Sequence, residues 1–331
     1  MSRSRERGGT DVDIAIWGAG SVGLGLATCL AREGERLLVV GRDPATLEHV
    51  RRDGLARSGL FGERHVPPEG LTLVTDPTAL VAAAPDWILI CTKAFAATDV
   101  AAALAPIASD LPGSTRLVLC QNGWGNEAPF RSFWPTERLL HARVITGFHR
   151  RSPNHVEITA HASPIAFGSV FDLDPGSVPG LETLVGRIRE GGIPAETTAD
   201  MRAVLWGKML YNCALNPIGA LTGRRYGELT EDATTRRIVD GVIREIFAVL
   251  AAAGMPSGWP DAATYLRHFH DVLIPPTARH ESSMLQDLRA GRPTEIEALA
   301  GAVERLGREH GVETPIVSGL AALVRAAERP D

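Results

Sequence analysis

No run of apolar residues in this chain approaches the roughly 20 that a membrane-spanning helix needs, so no membrane partner is expected. Among its four cysteines, Cys29, Cys91, Cys120 and Cys213, there is no C-x-x-C pair, and each sits in a largely apolar stretch. A disulfide frame is therefore not indicated, and small core hydrophobes in a reducing cytoplasm are expected instead. The ten histidines show no H-E-x-x-H and no other paired-ligand spacing, which argues against a metal site. Charge of one sign is not in excess either. The formal net charge is −5, and basic residues are scattered apart from short runs such as Arg150-Arg151 and Arg224-Arg225, which gives no field suited to nucleic acid. Internal repeats and low-complexity segments are missing. The opening MSRSRERGGTD is basic and polar, lacks an apolar h-region, and does not read as a signal peptide. Residues 1–11 are expected to be a flexible extension.

What is present is a globular composition, 44% apolar and 22% charged over 331 residues, a length natural for two domains. The first half alternates short apolar runs with helical patterns. Ile14–Trp17, 36–40, 87–91 and 117–120 read as strands. Residues 21–32 read as a helix closed by Gly34. Wholly apolar strands separated by helices imply a parallel sheet covered on both faces. Around 139–170 the pattern shifts to strands over 144–146, 156–158 and 165–167 joined by tight turns, which fits an antiparallel or mixed extension of that sheet. Pro-Gly at 175–176 and 179–180 marks loops, and 181–190 a helix. From about residue 200 the strand signal disappears. Helices are predicted over 201–220, 234–253, 260–271, 281–290, 295–310 and 316–328. The fold class expected is α/β followed by all-α, with domains at 12–195 and 196–331.

Gly18-Ala19-Gly20-Ser21-Val22-Gly23 is a G-x-G-x-x-G that follows a strand, opens a helix and leads to a second strand. In a dinucleotide site Gly18 makes the tight turn, Gly20 lets the backbone approach a pyrophosphate, and Gly23 lets helix and strand pack closely. The helix N-terminus offers free N–H groups to the phosphates. After the second strand the chain reads Val40-Gly41-Arg42-Asp43. Arg42 stands where a guanidinium meets a ribose 2′-phosphate, which favours NADP(H) over NAD(H). Asp43 either bonds a ribose or caps the helix starting near Pro44. Lys93 ends another strand and reaches either a cofactor phosphate or ribose, or only solvent. Gln121-Asn122-Gly123 ends the next one, where Asn122 bonds nicotinamide ribose or substrate, or is a turn asparagine.

In the second half Lys208, Asn212 and Asn216 lie at i, i+4 and i+8, one slowly drifting stripe on a helix of about 3.6 residues per turn. Their neighbours are mostly apolar. Buried polar groups need partners, so the stripe marks either a ligand cleft or an internal hydrogen-bonded network. Pro217 is expected to bend this helix. Thr294 and Glu297 fit a capping box, which makes Glu295 the first helical residue. Glu295 also shares a face with Leu299, Ala302, Val303 and Leu306, which would turn its carboxylate into a cleft.

The glycine turn, Gln121-Asn122-Gly123, the Lys208/Asn212/Asn216-Pro217 helix and Ser282-Ser283-Met284-Leu285-Gln286-Asp287 followed by Gly291-Arg292-Pro293-Thr294-Glu295-Ile296-Glu297 resemble the ketopantoate reductase (2-dehydropantoate 2-reductase) family, in family order and over nearly the whole chain. The resemblance implies a Rossmann-like NAD(P)-binding domain joined to an all-helical domain of the 6-phosphogluconate dehydrogenase C-terminal type, with the active site between them. It implies Lys208 as general acid and Glu295 in substrate binding and catalysis. Asn122, Asn212, Asn216 and Ser283 become substrate-binding positions. Residues 18–23, Arg42, Lys93 and Asn122 become cofactor contacts. The activity implied is NADPH-dependent reduction of ketopantoate in the pantothenate branch, in the cytoplasm, with a small 2-oxo acid as partner and a homodimer kept as a candidate assembly. Rival readings are a reductase of another 2-oxo acid, an opine-type dehydrogenase, and a non-catalytic NADPH-binding regulator. The chain departs from the family pattern at its extended N-terminus, at the bulky Trp124, and at Phe148-His149-Arg150-Arg151-Ser152-Pro153.

Overall fold

The computed structural model describes residues 14–328. The extension expected over 1–11 lies outside them. The described residues divide into two compact units, 14–121 with 127–201, and 122–126 with 202–328.

The first unit runs β1 (Ile14–Trp17), α1 (Ser21–Leu30), β2 (Leu37–Val40), α2 (Pro44–Asp53), β3 (Leu55–Gly59), β4 (Arg64–Val66), β5 (Leu71–Val74), α3 (Ala79–Ala83), β6 (Trp87–Ile90), α4 (Ala97–Leu104), β7 (Arg116–Leu119), β8 (Leu139–Arg143), β9 (Thr146–Ser152), β10 (His155–His161), β11 (Ile165–Gly168), α5 (Leu181–Glu190) and β12 (Ala195–Thr197). Eight strands form one sheet in the order β12-β11-β8-β7-β6-β1-β2-β5. All its neighbours are parallel except β8 and β11. The apolar strands follow from this arrangement. Ile14 and Ile16 face one core, and Ala15 and Trp17 face another on the opposite side, as the period-two pleat requires. Strand order reverses about β1, with β2 on one side and β6 on the other. Ligands of open α/β sheets bind at such a point, beyond the carboxyl ends of the strands.

The fold departs from several expectations. Helix α1 ends at Leu30, with Ala31 as its extended C-cap. Gly34 lies in the following turn at φ +80°, so the left-handed conformation is used there and not at the cap. Residues 144–145 are the break between β8 and β9. The strands after 139 do not all extend the first sheet. β8 and β11 join it, but the β9–β10 hairpin leaves and pairs with β3 and β4 in a second sheet, order β4-β3-β10-β9. The β3–β4 hairpin carries few consecutive apolar residues, so the second sheet left little trace in the hydrophobic pattern.

The second unit is helical, with α6 (Met201–Thr222) entering from the first unit at its first residue, then α7 (Tyr226–Glu231), α8 (Ala233–Ala252), α9 (Ala262–His268), α10 (Ile274–Thr277), α11 (Ser283–Arg289), α12 (Ala300–Glu309) and α13 (Pro315–Ala327). Helix α6 continues through Pro217. No helix among the described residues is long and apolar enough to cross a membrane. The expected helix over 295–310 begins only at Ala300. The capping box of Thr294 and Glu297 is not formed, because each is engaged elsewhere. The Thr294 N–H donates to Glu328 Oε1 at 2.7 Å, while Glu297 is held by Arg325 at 2.6 and 3.0 Å. Residues 295–299 form a turn in which Glu295 O accepts from the N–H groups of Ala298 and Leu299.

Candidate active site

In the first unit, Gly18 follows β1 at φ +122°, and its N–H donates to Val40 O at 2.8 Å. A Cβ there would stand 2.7 Å from the Cys91 carbonyl carbon and the Thr92 nitrogen. At Gly23 a Cβ would lie 1.9 Å from Gly18 O. Both positions therefore require glycine for packing. Gly20 is different, since nothing lies within 4 Å of a Cβ built on it, and its φ of −87° suits any residue. The first turn of α1 has no side-chain cap and no acidic residue, so its N–H groups are presented to an anion without a competing carboxylate. Ala19, Ser21 and Val22 complete that turn and are half-buried.

Arg42 is exposed at the end of β2. Asp43 caps α2, accepting from the N–H groups of Ala45 and Thr46 at 3.1 and 3.2 Å and from Thr46 Oγ1 at 2.5 Å. Of the two uses the sequence left open for Asp43, the cap is formed. These bonds, that from the Thr46 side chain first, hold its carboxyl below the usual value. Lys93 is exposed beyond β6. Its carbonyl and Thr92 Oγ1 accept from Gln121 Nε2 at 3.2 and 3.0 Å, which ties together the ends of β6 and β7. The glycine turn, the bare helix N-terminus and the basic residues at the strand ends fit the phosphates of a dinucleotide.

In the second unit, Lys208 Nζ donates to Asn122 Oδ1 at 2.5 Å, and Asn122 Nδ2 donates to Glu295 Oε2 at 2.8 Å. One amide thus joins the ammonium and the carboxylate and is oriented by both charges. The loop carrying Asn122 is pinned by its own backbone. Asn126 Nδ2 donates to Asn122 O at 2.9 Å, and Trp124 N donates to Ala298 O at 2.9 Å. Gly123 adopts φ +100°, where a Cβ would strike Ala298 O at 2.4 Å. The Trp124 ring lies 5.1 Å from that of the fully buried Trp206.

Asn212 is half-buried, and its amide has no partner among the described residues. Asn216 is buried, and its Oδ1 accepts from Tyr226 OH at 2.7 Å. Burial pushes the Tyr226 phenol far up, so it stays a donor. Ser283 is exposed at the start of α11, with no partner among the described residues. It is Ser282 that reaches the stripe, capping α11 at Leu285 N and donating to Asn216 O at 3.4 Å. Lys208, Asn122 and Glu295 are thus brought together, Asn216 joins an internal network, and no direct bond links Ser283 to them. Sequence reasoning passed over Tyr226, which carries no local signal. It also passed over Ser282 as a contact, although an S-x-x before a helix signals an N-cap.

Residues 14–170 match the family model described as Ketopantoate reductase PanE/ApbA, and residues 200–328 the model for its C-terminal part. The chain is 33% identical over 317 residues to the 2-dehydropantoate 2-reductase of Aquifex aeolicus (strain VF5), covering 95% of this chain and 96% of that one. A PanE/ApbA family ketopantoate reductase from Ralstonia eutropha JMP134 superposes with a TM-score of 0.81 at 29% identity, covering 95% and 98% of the two chains. A D-mandelate dehydrogenase, whose ternary structure holds NADH and anilino(oxo)acetate, shares the fold with a TM-score of 0.81 at 23% identity, over 95% and 97%. The chain belongs to the ketopantoate reductase PanE/ApbA family and is, with it, a nicotinamide-dependent oxidoreductase.

Proposed function

We propose that this chain reduces 2-dehydropantoate to pantoate with NADPH, with residues 12–195 as cofactor domain and 196–331 as substrate domain. The observation that carries the reading is the Lys208–Asn122–Glu295 chain, a cation and a carboxylate held on one amide. The nicotinamide supplies the hydride when bound. The other requirements fall to the protein. Reduction of a ketone places negative charge on its oxygen, and a preorganised cation there is typically the largest catalytic term. Lys208 bonds that oxygen and donates the proton, adding about 10²–10⁴-fold. Asn122 holds the ammonium in place. Glu295 accepts from the substrate hydroxyl. Asn212, whose amide is unspent, bonds the substrate carboxylate, and Asn216 and Ser283 complete the polar lining. On the cofactor side, residues 18–23 receive the pyrophosphate, Lys93 and Asn122 the ribose groups, and the exposed Arg42 the 2′-phosphate, which favours NADPH over NADH. Four buried free thiols suit the cytoplasm.

The test is steady-state oxidation of NADPH and of NADH with ketopantoate, beside a panel of other 2-oxo acids with and without amines. We expect ketopantoate and NADPH to give the highest kcat/KM, with NADH lower by about tenfold or more, the size of one lost charge-assisted pair. Faster turnover of another 2-oxo acid, turnover only with an amine, or binding without turnover would each replace this reading.

A further inference from the structure

β9 carries two adjacent arginines with opposite fates. Arg151 is exposed and pairs with Glu157. Arg150 is half-buried and turns to α2, where its guanidinium donates to Thr46 Oγ1 at 2.9 Å, to Pro153 O at 2.8 Å and to Ser152 O at 3.4 Å. It forms no direct ion pair with a carboxylate among the described residues. Its counter-charge is one step away, because Thr46 Oγ1 in turn donates to Asp43 Oδ2 at 2.5 Å. The result is a relay Arg150–Thr46–Asp43, ending on the residue next to Arg42.

An acid at this place normally selects the unphosphorylated ribose, by bonding its 2′-hydroxyl and repelling a phosphate. Here the acid is retained and stays ionised. Its oxygens are turned into the cap of α2, and a cation stands behind them. We infer that Arg150 is a cofactor-specificity residue, whose charge offsets Asp43 through Thr46 so that a dianionic 2′-phosphate is accepted beside Arg42. The inference rests on the NADPH reading above. It concerns a residue whose hydrogen bonds go to Thr46, Ser152 and Pro153 rather than to Arg42 or the glycine turn. Arg150 is a positioning charge and not a contact of the reacting atoms.

The experiment is calorimetric titration of the cofactor-free enzyme with 2′,5′-ADP and with 5′-AMP, which differ only in the 2′-phosphate. R150Q keeps a hydrogen-bonding side chain and removes the charge. We expect it to weaken 2′,5′-ADP about tenfold, the scale of one charge–charge interaction across several ångströms near a protein surface, and to leave 5′-AMP within about twofold. D43N, which retains a capping side chain, should restore 2′,5′-ADP affinity in the R150Q background, and R150K should behave as the parent. Equal weakening of both ligands without rescue by D43N means that Arg150 only holds β9 to α2, and overturns the inference. So does an unchanged ratio in R150Q while the parent still prefers 2′,5′-ADP. A parent that shows no preference at all instead removes the NADPH reading, and this inference with it.

Discussion

Lys208 meets a neutral amide oxygen, and the same amide donates to Glu295. Removing the ammonium should therefore abolish proton donation without disturbing the glycine turn. Lys208→Met is expected to lower kcat by about 10²–10⁴-fold, with the NADPH dissociation constant, read by fluorescence titration, within about twofold. Near-normal turnover would remove Lys208 from the chemistry. The part-buried Glu127 and the buried His141 form a pair that acts on stability. Burial pushes the Glu127 carboxyl up, but the hydrogen bond and charge of His141 outweigh this and hold it below its ordinary value of 4.5. A depressed carboxyl contributes stability that is present above the unfolded value and is lost as pH falls through the folded one. Urea midpoints between pH 3 and 7 should thus fall on the acid side less steeply in Glu127→Gln than in the parent. Parallel curves would show that the pair is neutral. At this scale the sequence was informative wherever spacing placed like groups on one face, as for Lys208, Asn212 and Asn216. It could not reveal Tyr226 on Asn216, because that bond joins two helices across a turn. It also could not choose Ser282 over Ser283, since adjacent hydroxyls differ only in which one the cap orients.

The elements divide in the same way. Strands β1, β2, β6 and β7 were legible because both their faces are buried and nearly every residue is apolar. β3 and β4 are short and mostly polar or small, with no period-two apolar pattern, and their partner is the distant hairpin β9–β10. The segment 295–299 has the apolar spacing of a helix, yet Arg325 and Glu328 from α13 and its end draw off the groups that would have capped it. The glycine turn before α1 allows a prediction that separates fold from ligand. Gly20 has room for a methyl group and an ordinary φ, so Gly20→Ala should leave stability unchanged or slightly raised, by up to about 1 kcal/mol from the stiffer unfolded chain. If a pyrophosphate approaches that backbone, the same methyl should weaken NADPH binding about tenfold or more. Calorimetry of folding and of binding on one sample reads both. Intact NADPH affinity in a folded Gly20→Ala protein would move the phosphates away from this turn.

At the scale of the molecule, the partition into units is not linear in the chain. Five residues, 122–126, group with the helical unit although they lie far upstream of residue 202. Asn122 brings the amide between Lys208 and Glu295, Gly123 fits under Ala298 only because it lacks a Cβ, and the Trp124 ring packs at a tilt against that of Trp206. No hydrophobic period announces such an insertion, because five residues span too few turns or pleats to establish a period. The bulky Trp124 acquires a physical reason from this arrangement, as the aromatic anchor that seats the loop. Trp124→Ala should then have two linked consequences. Loss of a half-buried aromatic pair should cost about 1–3 kcal/mol of stability, below the range for a fully buried tryptophan. Release of the loop should also lower kcat, since Asn122 is two residues away and depends on the same seat, even though Trp124 has no part in proton or hydride transfer. Trp124→Phe should recover much of both. Urea unfolding beside steady-state kinetics on the three proteins decides it. If Trp124→Ala loses stability and keeps full kcat, Asn122 is held by Gly123, Asn126 and the two charges alone.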